Sequence, residues 1–206
     1  MSQHLLDLIA PPKPEESGRN YGVVVGLVTN NKDPDGMGRV KVKFPWLSDQ
    51  EESWWARMAV PMAGPSRGTY FLPEVDDEVL VAFEHGDVRF PYIVGAVWNG
   101  KDAPPTTNSD GKNNIRLIKS RSGHIIRLDD TDGNEKVEII DKQGTNSITI
   151  KSSDNSITIC CNGKMTLTAN GIEISSQADI KIQAAASMDI NAGAPLTIKG
   201  AVVNIN

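Results

Sequence analysis

"NSITIKSSDNSITI", residues 146–159, carries Asn-Ser-Ile-Thr-Ile twice, nine residues apart. Within each copy the two isoleucines are separated by one polar residue, which places both on one face of a β-strand. The same pairing continues to the C-terminus as Met165/Leu167, Ile172/Ile174, Ile180/Ile182, Met188/Ile190, Leu196/Ile198 and Val203/Ile205. Counting from Ile148/Ile150 and Ile157/Ile159, successive pairs are 9, 8, 7, 8, 8, 8 and 7 residues apart. A helix stripe or coiled-coil seam needs alternating steps of three and four, so neither fits. Turn formers such as "TANG", "SSQAD" and "NAGAP" fill the gaps. Each unit therefore reads as one very short strand and one turn, repeated as in a solenoid.

Two apolar residues per strand make a thin core, so backbone pairing has to supply much of the stability. A single-chain solenoid built from 59 residues would have fewer than three coils and two open ends. Three chains wound together solve this by giving each short strand neighbours from other chains. The sixteen paired residues then meet on a common axis, and eight rungs make a shaft roughly 40 Å long at about 4.8 Å per strand. The single-chain solenoid is the alternative. Looser pairs at Ile115/Leu117, Ile126/Leu128 and Val137/Ile139 mark a transitional collar over residues 106–147, ahead of the shaft at 148–206.

The composition changes after Trp98. All eleven aromatics lie between Tyr21 and Trp98, while the last 59 residues hold four lysines, four acids and no arginine. The net charge of -5 therefore belongs to the first 147 residues and argues against a phosphate-binding surface. No apolar run approaches the length of a membrane helix. "LLDLIA", Leu5 to Ala10, lacks the basic start of a signal peptide, so assembly in the cytoplasm is expected. The adjacent Cys160 and Cys161 are badly placed for a disulfide to each other.

Residues 21–105 alternate as a small β domain. "YGVVVGLVTN", "RVKVKFPW", "SWWARMAVPM" and "RFPYIVGAVWNG" each read as a strand, and "GTYFLPEVDDEVLVAFEHGD" as two more. Five or six short strands with Gly/Pro turns and no helix predict a barrel. Here the residues resemble a known family. Gly38-Arg39-Val40, Trp55-Ala56-Arg57, Ala63-Gly64, Pro73-Glu74-Val75, Asp77-Glu78-Val79 and Val94-Gly95 fall in the order found in the phage baseplate assembly protein V family, and "SRSGHIIRLDDT" follows them. This is the central spike of contractile tails, similar to the spike region of type VI secretion VgrG proteins.

The resemblance implies an all-β chain with an OB-fold barrel followed by an intertwined trimeric, triple-stranded β-helix needle. It implies a homotrimer seated on a trimeric hub protein, within a phage virion or injection particle, that transiently meets a target membrane. Asp76 stands where the family usually has glycine, so that turn is expected to differ. There is no His-x-His iron motif, so the expectation is no cofactor and a separate PAAR-type tip protein at Asn204, Ile205 and Asn206. Residues 1–20 form an N-terminal tail, and Leu5, Leu6, Leu8 and Ile9 are candidates for a hub anchor.

Other motifs carry less. "GPSRG", Gly64 to Gly68, matches the hydrolase elbow, but strand-like "TYFLP" follows where a helix is required, so a turn is expected. "DPDGMG" and "DDTDGNEKVEIID" lack the ligand pattern of calcium loops. Cys160 and Cys161 lack metal-ligand spacing, and the strand register points Cys161 inward and Cys160 outward. Four tryptophans in an acidic barrel favour core or interface over nucleic-acid stacking. The expected function is a structural, membrane-piercing spike linking hub to tip, with no enzymatic activity, no metal and no nucleic-acid partner. The alternative is a monomeric OB-fold and β-solenoid module for carbohydrate or nucleic acid.

Overall fold

The computed structural model describes residues 18–47 and 51–205. Among them, strands make up nearly all regular structure, and one 3-10 turn at Glu84–Gly86 is the exception. The first sheet combines β1 (Val24–Asn30), β2 (Lys41–Lys43), β3 (Arg57–Met58), β6 (Glu78–Phe83) and β7 (Pro91–Ala96) in the order β2-β1-β6-β7-β3. Bridges from Val40 to Ala56 and from Lys43 to Glu52 join β2 to the approach of β3, which closes the barrel. Strand β3 pairs in parallel with β7, and the other pairings are antiparallel.

Alternation sets the core. Val40, Val42 and Phe44 point inward from the β2 segment, as do Val79, Val81 and Phe83 from β6. Val28, Ala56 and Ile93 complete the buried cluster. The tryptophans are not part of it. Trp46, Trp54 and Trp98 are exposed, and Trp55 lies half-buried with the Arg39 and Lys41 cations 5.8 Å and 5.6 Å from its ring.

The second expected strand in "GTYFLPEVDDEVLVAFEHGD" is absent: residues 69–77 form no strand, and only Asp76 and Asp77 bond to β1, through Val28. Pro73 has no N–H to donate there. Instead a hairpin forms from β4 (Ala63–Gly64) and β5 (Arg67–Gly68), with Pro65 and Ser66 at its tip. Ser66 has φ 55, so "GPSRG" is a reversal between strands rather than a strand-to-helix elbow.

Asp76 adopts φ 74, the left-handed conformation that glycine takes without cost. The turn it occupies is tied down on both sides. The Asp76 N–H donates to Val28 O at 2.8 Å, and the Glu74 N–H to Asp77 Oδ2 at 2.8 Å. The loop 33–39 is held by Asp33, whose carboxylate accepts from Arg39 Nε at 2.9 Å and from the N–H groups of Asp35, Met37 and Arg39. These bonds, Arg39 first, hold the Asp33 carboxyl well below the usual carboxylate range.

A second sheet follows the barrel. It is an antiparallel meander of β8 (Ile115–Lys119), β9 (Ile125–Asp129), β10 (Lys136–Ile140), β11 (Ser147–Lys151) and β12 (Ser156–Cys160), each strand paired with the next. The meander thus runs on to Cys160, past the expected collar boundary at 147. An ion pair of 2.9 Å from Arg121 in the β8–β9 turn to Glu74 ties it to the barrel.

Two outcomes test the barrel turns. Asp76→Gly removes left-handed strain of about 1 kcal/mol and is expected to raise the melting temperature by a few degrees. Asp33→Asn loses a charge that is stabilising only while ionised. Because the folded pKa lies below the unfolded value, the stability gap to wild type is expected to be full above pH ~5 and to shrink as pH falls below about 4. Thermal melts across that range check it.

Candidate functional site

The register of the meander builds one apolar face, interrupted at its β8 edge by Arg116 opposite Leu128. Ile118 lies opposite Ile126, Ile126 opposite Ile139, Ile139 opposite Ile148, and Ile148 opposite Ile159. Five isoleucines from five strands therefore form one transverse row. A second row joins Leu128, Val137, Ile150 and Ile157. None of these nine side chains is covered, and exposure runs from 40% at Val137 and Ile148 to 71% at Ile157.

The opposite face is mixed and better satisfied. Arg127 Nε donates to Glu138 Oε2 at 2.8 Å, and Lys136 Nζ sits 3.4 Å from Glu138 Oε1. Glu138, 8% exposed, is the buried charged residue of this sheet. Two cations and cross-strand pairing offset the desolvation of its carboxylate. Thr149 and Thr158 pair directly on this face, a favourable cross-strand match. The turns are closed by carboxylates: the Asn146 N–H and neighbouring donors hold the Asp141 carboxyl low, and the Ser156 hydroxyl does the same for Asp154.

The sequence reading and the register differ in two places. Ile115 and Leu117, expected on the apolar face, lie opposite Asp129 and Arg127 on the charged face, and Ile118 takes the apolar position. Sequence reasoning missed Ile118 and the Arg127–Glu138–Lys136 cluster. The available signal was the alternation in "IRLIK", which allows either register. The pairs Ile148/Ile150 and Ile157/Ile159 were expected to take neighbours from other chains. They pair with each other within one chain, because Ser152–Asn155 forms a short turn with Asn155 in the left-handed region at φ 54.

Beyond Cys160 the chain changes character. Among the described residues, 161–205 contain no strand and make no backbone–backbone hydrogen bond. Met165, Leu167, Ile172, Ile174, Ile180, Ile182, Met188, Ile190, Leu196, Ile198, Val203 and Ile205 are all exposed. Asn204 is exposed too, and Asn206 lies outside the described residues, as do Leu5, Leu6, Leu8 and Ile9. Cys160 ends β12 on the charged face opposite Ser147, and Cys161 follows the last paired residue. The accessible surface of the chain is 17142 Å². A compact monomer of 22.3 kDa exposes roughly 9,400 Å², so this chain displays nearly twice that area.

Among the described residues, no three His, Cys, Asp or Glu side chains converge as a metal-ligand set. In the "DPDGMG" loop the Asp33 oxygens are occupied by Arg39 and backbone N–H groups. The arrangement displays apolar side chains and unpaired backbone.

The described residues thus form a small closed barrel followed by a strand meander with a bare apolar face. Residues 24–98, just over a third of the chain, match the family described as the type VI secretion system/phage-baseplate injector OB domain. The type VI secretion system spike protein VgrG2a of Pseudomonas aeruginosa is 29% identical over 146 residues, 66% of this chain and 17% of that protein. The spike protein VgrG3 of Vibrio cholerae is 32% identical over 133 residues, 61% of this chain and 13% of that protein. The actin cross-linking toxin VgrG1 of Vibrio cholerae is 33% identical over 105 residues, 49% of this chain and 10% of that protein. The chain thus spans less than a fifth of the length of each of these relatives.

Neighbouring positions on β11 test the face. Ile148→Asp places a charge on the apolar side and is expected to abolish self-association. Thr149→Lys, one residue on and facing the other way opposite Glu138, is expected to leave it intact. Sedimentation of both variants checks the pair, and equal behaviour contradicts the assignment.

Proposed function

We propose that this chain is the central spike subunit of a contractile injection machine. Three copies assemble around one axis, with barrels toward a trimeric hub protein and the C-terminal repeat projecting as the needle. The observation that carries this reading is the continuous run of exposed apolar pairs from Ile118 to Ile205, most of it on backbone that finds no partner in its own chain. Unpaired peptide groups and bare isoleucine both demand cover.

The division at Cys160 gives the assembly two styles. Up to Cys160 each chain supplies a finished sheet, and three such sheets enclose the isoleucine rows as the sides of a prism. After Cys161 each chain supplies one strand per level, and the six remaining pairs form rungs with strands from the other two copies. At about 4.8 Å per level those rungs extend roughly 30 Å. The failure of residues 161–205 to coil on themselves supports this over a monomeric solenoid.

A PAAR-type tip protein would meet the needle around Asn204 and Ile205, both exposed. The machine assembles in the cytoplasm, and contraction drives the needle transiently through a target membrane. A chain in the interlocked part cannot leave without breaking ladders to two others, so resistance to unfolding is expected to be kinetic. The role is structural rather than enzymatic. Among the described residues no helix is long and apolar enough to cross a membrane, and passage relies on force applied to a shaft whose outer positions combine Ser, Thr, Asn and Gln with small Ala and Gly and few charges.

Light scattering of the full chain is expected to give three times 22.3 kDa, and a mass of one chain contradicts the proposal. Ile182→Asp places three carboxylates on the axis and is expected to remove the heat-resistant trimer on denaturing gels.

A further inference from the structure

Asparagine followed directly by glycine occurs at Asn99-Gly100, Asn162-Gly163 and Asn170-Gly171. At such a step the glycine nitrogen lies next to the asparagine side-chain carbonyl. With no Cβ, glycine neither hinders attack on that carbonyl nor resists the backbone conformation that attack requires. How fast the attack proceeds then depends on how firmly the surrounding structure holds the carboxamide and the backbone. The structure separates the three steps on this point.

Asn99 is clamped. Half-buried just beyond β7, it donates from Nδ2 to Glu78 Oε2 at 3.1 Å. Its Oδ1 accepts from the N–H groups of Lys101 at 2.8 Å and Asp102 at 2.7 Å, and its own N–H donates to Asp102 O at 3.1 Å. Turning this carboxamide toward the Gly100 nitrogen breaks that set. Asn162, one residue past Cys161, is held at one point, where its N–H donates to Asn146 Oδ1 at 2.9 Å. Asn170 and Gly171 are exposed and, among the described residues, make no backbone–backbone hydrogen bond. Nothing lies within 4 Å of where a Gly171 Cβ would stand.

We propose that Asn170-Gly171 is a self-acting deamidation site of the unassembled chain, and that pairing in the trimer closes it. The Gly171 nitrogen gives its proton to solvent and bonds to Asn170 Cγ. The Cγ–Nδ2 bond breaks, and ammonia leaves with a proton from solvent. Water then opens the cyclic imide. Attack at Cγ leaves aspartate, and attack at the main-chain carbonyl leaves isoaspartate, whose backbone runs through Cβ. Either product carries a new carboxylate, and the second lengthens the chain by one carbon, about 1.5 Å. Residue 170 lies two positions ahead of Ile172/Ile174, so the added atom moves that apolar pair out of step with Met165/Leu167. A chain that waits too long alone thereby spoils its own repeat. The site itself goes beyond the spike assignment, and only its closure by assembly rests on that reading.

The test follows conversion of amide to acid at each step by peptide mass spectrometry, in full chains kept in mildly alkaline buffer. In the Ile182→Asp chain, taken at the mass of one chain, Asn170 is expected to convert roughly tenfold or more faster than Asn99, the ratio that breaking one or two hydrogen bonds imposes. Gly171→Ala in that background is expected to slow residue 170 alone. Unfolding in urea is expected to bring Asn99 up to the rate of Asn170. Equal rates at the two positions in the folded chain, or Asn99 remaining slow in urea, overturn the site. In wild type at the mass of three chains, conversion at Asn170 is expected to fall several-fold, and an unchanged rate overturns closure by assembly. A wild type at the mass of one chain contradicts the spike reading instead, and the ratio of Asn170 to Asn99 still decides the site.

Discussion

Peptide groups removed from water must be paired, and this constraint governs the molecule. The barrel meets it by closing: the Val40–Ala56 and Lys43–Glu52 bridges bring the sheet round on itself. The meander meets it by folding back four times, and its strands are long enough to give five pairs per neighbour. The C-terminal units have only two apolar residues each, and in the single chain they form no strand pairs. Their exposed peptide groups face water in the single chain, and the proposed trimer would pair them with other copies. The progression from closed barrel to open meander to dependent rungs is a progression in how much each part borrows.

Much of this was legible in the sequence because a period of two is unambiguous over many repeats. Ile-x-Ile pairs and the Val40-Val42-Phe44 and Val79-Val81-Phe83 triplets place side chains on one face wherever a strand forms. Pairing partners were less legible. "SITIK" and "SITIC" are nearly identical, and nothing in them separates pairing with each other from pairing with other chains. The four-residue turn ending at Asn155 decides it, through backbone conformation rather than hydrophobicity. Ile115 and Leu117 went to the wrong face for a related reason. "IRLIK" has apolar residues on both faces, and only the Arg127 and Asp129 positions on β9 resolve which side is charged.

Asp76 and the tryptophans show the limits of composition. Aspartate at a glycine position implied a different turn, yet its backbone adopts glycine's conformation, held by hydrogen bonds from residues on either side. The tryptophans are expected in a core or an interface; none lies in the core, which is mostly valine with Ala56, Ile93, Phe44 and Phe83. A narrow barrel has room for branched side chains of moderate size. Indole is too large, and here it goes to the rim.

The transverse row of five isoleucines has a mechanical meaning. Isoleucine branches at Cβ and holds few rotamers, so it has little slack to give when pressed. Leucine or methionine in the same places would yield by rotating. In the proposed trimer, a column of such side chains stacked level on level against two neighbouring copies would turn a soft polymer into a strut. Thrust applied at the barrel would then reach the far end with little lost in rearrangement along the way.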